Sequence, residues 1–170
     1  MSTPGASSFS FVAMEHRMLG LWEEQDVFRR SVENADNEKP YIFYDGPPFA
    51  TGLPHHGNLV GSVLKDIVPR YWTMKGYRVE RRFGWDCHGL PIEQEIDRTL
   101  GMSAAETVAK IGVAGYNAEC RAIVERYVAE WRKTITRLGR WVDFDNDYKT
   151  WTPGTWSPCG GWSKSSGTRV

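Results

Sequence analysis

Cysteine is scarce in this chain. The three present, Cys87, Cys120 and Cys159, are an odd number without paired spacing. That argues against a disulfide framework and leaves no thiol pairs for a zinc knuckle. Cys87 and His88 are adjacent, but without a second pair they make poor zinc ligands, so no metal site and no disulfide partner are expected. Net charge of one sign is absent too, with 21 Lys and Arg against 21 Asp and Glu in 170 residues. No overall field draws the chain toward nucleic acid or anionic lipid. No apolar run approaches membrane-spanning length, and residues 1–10 hold neither an arginine nor an apolar signal core. Reduced thiols, no membrane contact and no targeting peptide together give the expectation of a cytoplasmic protein.

What remains is ordinary for a globular domain: 41% hydrophobic and 25% charged residues, in a chain long enough for one core. One local charge excess stands out. Between Lys65 and Arg82 lie Lys65, Arg70, Lys75, Arg78, Arg81 and Arg82 against Asp66 and Glu80 only. A solvated helix and strand surface accounts for it, and so does a contact with tRNA or phosphate.

Periodicity divides the chain into elements. Residues 11–34 read as an amphipathic helix. Tyr41-Ile42-Phe43-Tyr44 reads as a short, fully buried strand, aromatic and β-branched without alternation. Asp45-Gly46-Pro47-Pro48 ends it, and a loop runs on to Gly57. A helix follows, with Val60, Val63, Leu64, Ile67 and Tyr71 in one apolar stripe. Pro69 should kink or break it, and Gly76 closes it. Residues 77–83 form a second strand, 84–91 a loop and 92–100 a short helix. A longer helix steps through Tyr116, Cys120, Ile123, Tyr127, Trp131, Ile135 and Leu138. Strand, loop, helix and strand make one βαβ unit, so the fold class is α/β. Open α/β sheets bind ligands at the carboxyl ends of their strands.

The loop at that position reads Pro54-His55-His56-Gly57-Asn58 where the helix begins. A helix start offers unpaired N–H groups and positive partial charge, which suit a phosphate. His55 and Asn58 add side-chain donors, and Gly57 allows close approach to the backbone. A histidine pair that merely caps a helix explains the same spacing.

The surrounding residues point further. The stretch from Tyr44 through Asp45, Gly46, Pro47, Pro48 and Phe49 to His55 resembles the first signature region of class I aminoacyl-tRNA synthetases, and within them isoleucyl-tRNA synthetases. The family's His-Ile-Gly-His stands here as His55-His56-Gly57-Asn58. Gly84-Trp85-Asp86-Cys87-His88-Gly89-Leu90-Pro91 is similar to the family's Gly-Trp-Asp-x-His-Gly-Leu-Pro block. Gly139-Arg140-Trp141-Val142-Asp143-Phe144 and the residues to Thr150 resemble a third block. Cys87 and the third block look most like the eukaryotic cytosolic type. The resemblance spans residues 9–150.

It implies a partial Rossmann-type nucleotide-binding domain over residues 41–150, preceded by a helical extension over 1–40. It further implies ATP-dependent joining of isoleucine to the α-phosphate, assisted by Mg²⁺, then transfer to isoleucine tRNA. Pro54, His55, Gly57 and Asn58 match the ATP-binding motif, with His55 and Asn58 at the catalytic positions. Asn58 departs from the family's second histidine: an amide donates a hydrogen bond but carries no charge, so weaker transition-state stabilisation is expected. Gly46 and Pro47 match the turn beside the isoleucine side chain. Asp86 matches the carboxylate that holds the substrate's ammonium group. Phe83 and Trp85 are expected to be packing groups.

After Thr150 the pattern fails. Residues 151–170 hold three tryptophans but no acidic residue and no Ile, Leu or Met. Codons for residues 150–161, regrouped from the last base of each, can spell Met-Asp-Pro-Trp-Tyr-Met-Glu-Ser-Val-Trp-Trp, which is similar to the family's continuation. A lost base near codon 150 and an out-of-frame, disordered tail are therefore expected. On that reading the chain is an N-terminal fragment inactive alone. A residual ATP- or tRNA-binding fragment and a nonfunctional product remain as alternatives.

Overall fold

The computed structural model describes residues 9–152. The stretch on which the out-of-frame expectation chiefly falls, with Cys159, lies outside them. In chain order the elements are α1 (Phe11–Glu24), α2 (Val27–Glu33), β1 (Asp36–Pro40), α3 (His56–Met74), β2 (Tyr77–Arg78), β3 (Arg82–Trp85), α4 (Leu90–Leu100), α5 (Ala104–Arg137) and β4 (Asp143–Lys149). The strands are short and parallel: β1 pairs with β2, and β3 with β4. No described helix is long and apolar enough to cross a membrane.

Several boundaries differ from those the sequence led us to expect. The helix expected over 11–34 is two helices, because Asp26 adopts a left-handed backbone (φ 50°), a conformation aspartate tolerates better than most residues. The second strand is likewise split into β2 and β3. The strand expected at 41–44 is not in a ladder. Hydrogen-bonded pairing lies earlier, at β1, and its last bond is donated by Tyr41 N to the Arg78 carbonyl at 2.9 Å. Beyond it, carbonyls of the turn are taken by side chains: Tyr148 donates to Asp45, and Lys65 to Gly46. Nor is the stretch buried on both faces, since Ile42 and Tyr44 are exposed.

The α3 helix continues past Pro69 without ending there, and Gly76 (φ 86°) closes it as expected. Its predicted stripe faces outward: Val60, Val63, Leu64, Ile67 and Tyr71 are all exposed. Its opposite face turns inward through buried Ser62 and Pro69 and through Asp66, which accepts from Trp141 N at 3.0 Å.

The core lies between β3, β4 and α5. Phe83, Trp85, Ala50, Cys87, Ile92, Val124, Trp131, Ile135 and Val142 form one buried cluster. Phe83 and Trp85 are thus packing groups, as expected. The α5 helix starts earlier than its stripe predicts, at a capping box between Ser103 and Glu106, and it breaks at Gly112 (φ 75°). Past the break, Tyr116, Ile123, Trp131 and Ile135 are buried at the expected spacing.

Candidate active site

The candidate site is built where the end of β3 meets the loop that follows residues 41–44. An isolated parallel bridge joins Phe49 to Asp86: Asp86 N donates to the Pro48 carbonyl at 2.8 Å, and Ala50 N donates to the Asp86 carbonyl at 3.2 Å. The first and second signature segments are therefore locked side by side. The backbone of Asp86 is fixed while its carboxylate is partly exposed. That carboxylate accepts a long bond from His88 N, at 3.4 Å. A half-buried anion of this kind is open to an ammonium group.

The helix start is built around His55, which is the N-cap of α3. Its Nδ1 accepts from Gly57 N at 3.1 Å, and its own backbone N–H donates to Asn58 Oδ1 at 3.0 Å. This reciprocal cap explains each residue type locally. A Cβ at Gly57 would stand 3.0 Å from the His55 ring, so glycine lets the ring fold back over the helix end. A neutral ring that accepts at Nδ1 carries its proton on Nε2 and presents a donor outward. Asn58 uses its oxygen for the cap, which leaves Nδ2 as its donor. Pro54 leads into the cap.

The structure thus brings His55, Gly57 and Asn58 together, and separately Pro48, Phe49 and Asp86, with Gly46 and Pro47 just upstream. It forms no bond between the two groups. A cavity of about 820 Å³ lies elsewhere, beneath residues 41–45, lined also by Arg78, Glu80, Arg82 and Tyr148. Neither His55 nor Asp86 reaches it.

Further groups support the loop: Arg140 and Tyr148, whose support was not anticipated from the sequence, and Lys65, which it marked only as part of a basic run. The Asp45 side chain is fully buried, and Oδ2 accepts from Arg140 Nη2 at 2.8 Å. Lys65 Nζ lies 2.6 Å from Oδ1 as an ion-pair contact, off the line of a hydrogen bond, and donates to the Gly46 carbonyl at 2.7 Å. Tyr148 Oη donates to the Asp45 carbonyl. Burial, and then the negative charge of Asp45, push the Tyr148 phenol up from its ordinary value and keep it a donor. The available signal was an aspartate directly ending an aromatic run, since a carboxylate buried there needs cations. Thr150 is a second such support: its hydroxyl accepts from Cys87 N at 2.9 Å and lies 2.8 Å from His88 Nδ1.

Burial pushes the Cys87 thiol up to about 11 and the Arg81 guanidinium down to about 10. Neither is poised for chemistry at neutral pH. Among the described residues no three His, Cys, Asp or Glu side chains converge as a metal site.

Comparison with known proteins gives the same direction as the geometry. The family model for tRNA synthetases class I (I, L, M and V) matches residues 17–158. An isoleucine–tRNA ligase of Treponema denticola is 56% identical over 153 residues, covering 90% of this chain and 14% of that protein. The cytoplasmic isoleucine–tRNA ligase of Arabidopsis thaliana is 58% identical over 142 residues, covering 84% and 12%. That of Saccharomyces cerevisiae is 57% identical over 145 residues, covering 85% and 14%. The chain therefore spans about an eighth of the length of these relatives. Its fold is similar to that in the crystal structure of the ternary complex of Agrobacterium radiobacter K84 agnB2 LeuRS-tRNA-LeuAMS, with a TM-score of 0.64 at 17% identity, over 89% of this chain and 17% of that one. With the family model matched over most of its length, this chain belongs to the class I tRNA synthetases.

Proposed function

We propose that this chain supplies the first half of a site that joins isoleucine to ATP, forming isoleucyl-adenylate and pyrophosphate, and then passes the isoleucyl group to tRNA. The observation that carries the reading is the Phe49–Asp86 bridge, which sets the Asp86 carboxylate beside the first signature segment, upstream of the His55 cap. In the first step a carboxylate oxygen of isoleucine attacks the α-phosphorus, and the bond to the β-phosphate breaks. Little covalent chemistry is asked of the protein; it aligns the reactants and stabilises charge on phosphate oxygens. Asp86 would hold the ammonium group. Gly46 and Pro47 would line the aliphatic side chain. The outward Nε2–H of His55, the Asn58 amide and the backbone of Pro54 to Gly57 would face the phosphates at the start of α3. Mg²⁺ fits no cluster of this chain's described residues, so it would arrive on the nucleotide's own phosphates.

The parallel strands are read as part of a Rossmann-type sheet over residues 41–150, with residues 1–40 as a helical extension and 151–170 as an out-of-frame tail. Cytoplasmic location follows by likeness to the cytoplasmic relatives. The 170-residue chain alone is expected to be inactive, in keeping with the bare apolar face of α3.

The test grafts residues 1–150 onto the remainder of the Saccharomyces cerevisiae ligase and follows isoleucine-dependent pyrophosphate exchange. Asp86→Asn should raise KM for isoleucine by at least tenfold while leaving KM for ATP in place. Equal KM values for isoleucine in both proteins would remove Asp86 from the site, and absence of exchange in the unsubstituted graft would sink the reading itself.

A further inference from the structure

The Gly46–Pro47 turn is held from behind by a polar cluster that no matched motif assigns. Three elements converge on Asp45. Arg140, in the middle of the connection from α5 to β4, pairs with its carboxylate; both side chains are almost wholly buried. Lys65, from α3, contacts the other oxygen and donates to the Gly46 carbonyl. Tyr148, near the end of β4, reaches across β3 to the Asp45 carbonyl. The reach is possible because residue 84 is glycine: a Cβ there would stand 2.0 Å from the Tyr148 ring. Ring and glycine interlock, so the hydroxyl arrives at one place only.

We propose that Tyr148 is a specificity-determining positioning residue, which fixes the Asp45–Gly46 backbone through its hydroxyl and so sets how tightly the adjoining turn closes on an aliphatic amino-acid side chain. The inference rests on the reading that Gly46 and Pro47 line the isoleucine pocket. An apolar pocket separates substrates differing by one methylene by about 10- to 200-fold, and it does so only if its walls do not give. A turn carrying Gly46, which has no side chain of its own to pack, takes its rigidity from bonds to its carbonyls. Tyr148 acts through the backbone and touches no substrate.

The test uses the same graft, with Tyr148→Phe, which keeps the ring over Gly84 and removes only the hydroxyl. KM for isoleucine should rise by about three- to tenfold, as expected for one buried hydrogen bond. The ratio of kcat/KM for isoleucine over valine in pyrophosphate exchange should fall, while kcat and KM for ATP stay in place. Loss of active protein would instead lower kcat and leave both KM values alone, so the split separates positioning from folding. Gly84→Ala, which displaces the same ring, should move the same ratio in the same direction. An active graft whose Tyr148→Phe form keeps its KM for isoleucine and its discrimination against valine overturns the proposal and leaves the functional reading standing. A graft without isoleucine-dependent exchange overturns both.

Discussion

Along α5, Tyr116, Ile123, Trp131 and Ile135 are buried, whereas along α3 Val60, Leu64 and Ile67 are 62%, 61% and 56% exposed. Both helices carry apolar residues at steps of three and four, the pattern of a one-sided apolar face. The difference teaches what periodicity reports. It marks a face that avoids water, and it does not say which element covers that face. In α5 the covering elements, α4 over Tyr116 and Ile123 and chiefly β3 over Trp131 and Ile135, belong to the described residues. In α3 the inward face is polar instead, and it is anchored by specific bonds: Lys65 to Gly46, Asp66 to Trp141 N, and Arg70 to both Asp66 and the Gly139 carbonyl. Arg70 also lies over the rings of Trp22 and Trp141, tying α1 to the same face. The outward stripe of α3 remains a contiguous apolar surface of the kind that marks an interface.

The comparison can be broken most easily on the α5 side. Trp131→Ala removes a side chain that is 3% exposed and donates to the Gly52 carbonyl at 2.9 Å. It should cost about 3–5 kcal/mol, read as a lowered urea midpoint. A loss below about 1 kcal/mol would mean that this face is not the core. On the polar side of α3, Arg140→Met leaves Asp45 buried with Lys65 as its only cation. A loss of about 3 kcal/mol is expected, because an uncompensated buried carboxylate is costly. Substituting both partners, Asp45→Leu with Arg140→Met, should recover much of it.

A pH titration sharpens the same contrast. The unfolded thiol of Cys87 ionises near its ordinary value of 9.0, and the folded one at about 11. The stability tied to the protonated thiol is therefore intact below about pH 9 and is lost as pH rises from there through about 11. Urea midpoints should fall over that window by more in the native protein than in Cys87→Ala. Parallel curves would place the thiol outside the core. The smallest effect belongs to the bare stripe: Ile67→Gln should change stability by no more than about 0.5 kcal/mol, as for an exposed site. A loss above about 1 kcal/mol, read as a lowered urea midpoint, would mean that this face is covered.

Much of the candidate site was legible because it depends on local chemistry. Capping at His55, glycine at Gly57 and a carboxylate at a strand end all follow from residues within a few positions of one another. The support behind the site was not legible. Asp45 meets Arg140 and Tyr148 across 95 and 103 positions of chain, and no local pattern announces such pairs. The strand at 41–44 was misplaced for a related reason. Its aromatic run fits a pleated surface, yet the carbonyls that follow it are taken by side chains from α3 and β4. The oxygen of Asn58 serves the cap, and its nitrogen remains a donor.

By itself the sequence determined the α/β class, the stripe of α5, the helix start at His55 and the three signature blocks, because each depends on spacing along the chain and on the chemistry of neighbours. Tertiary structure alone decided that Asp86 lies against Pro48 and Ala50, that a tyrosine threads over Gly84 to hold Asp45, and that α3 turns its polar face inward. Those outcomes depend on which distant groups meet. A buried charge or an unpaired carbonyl takes the partner that the packing of the whole domain brings within reach.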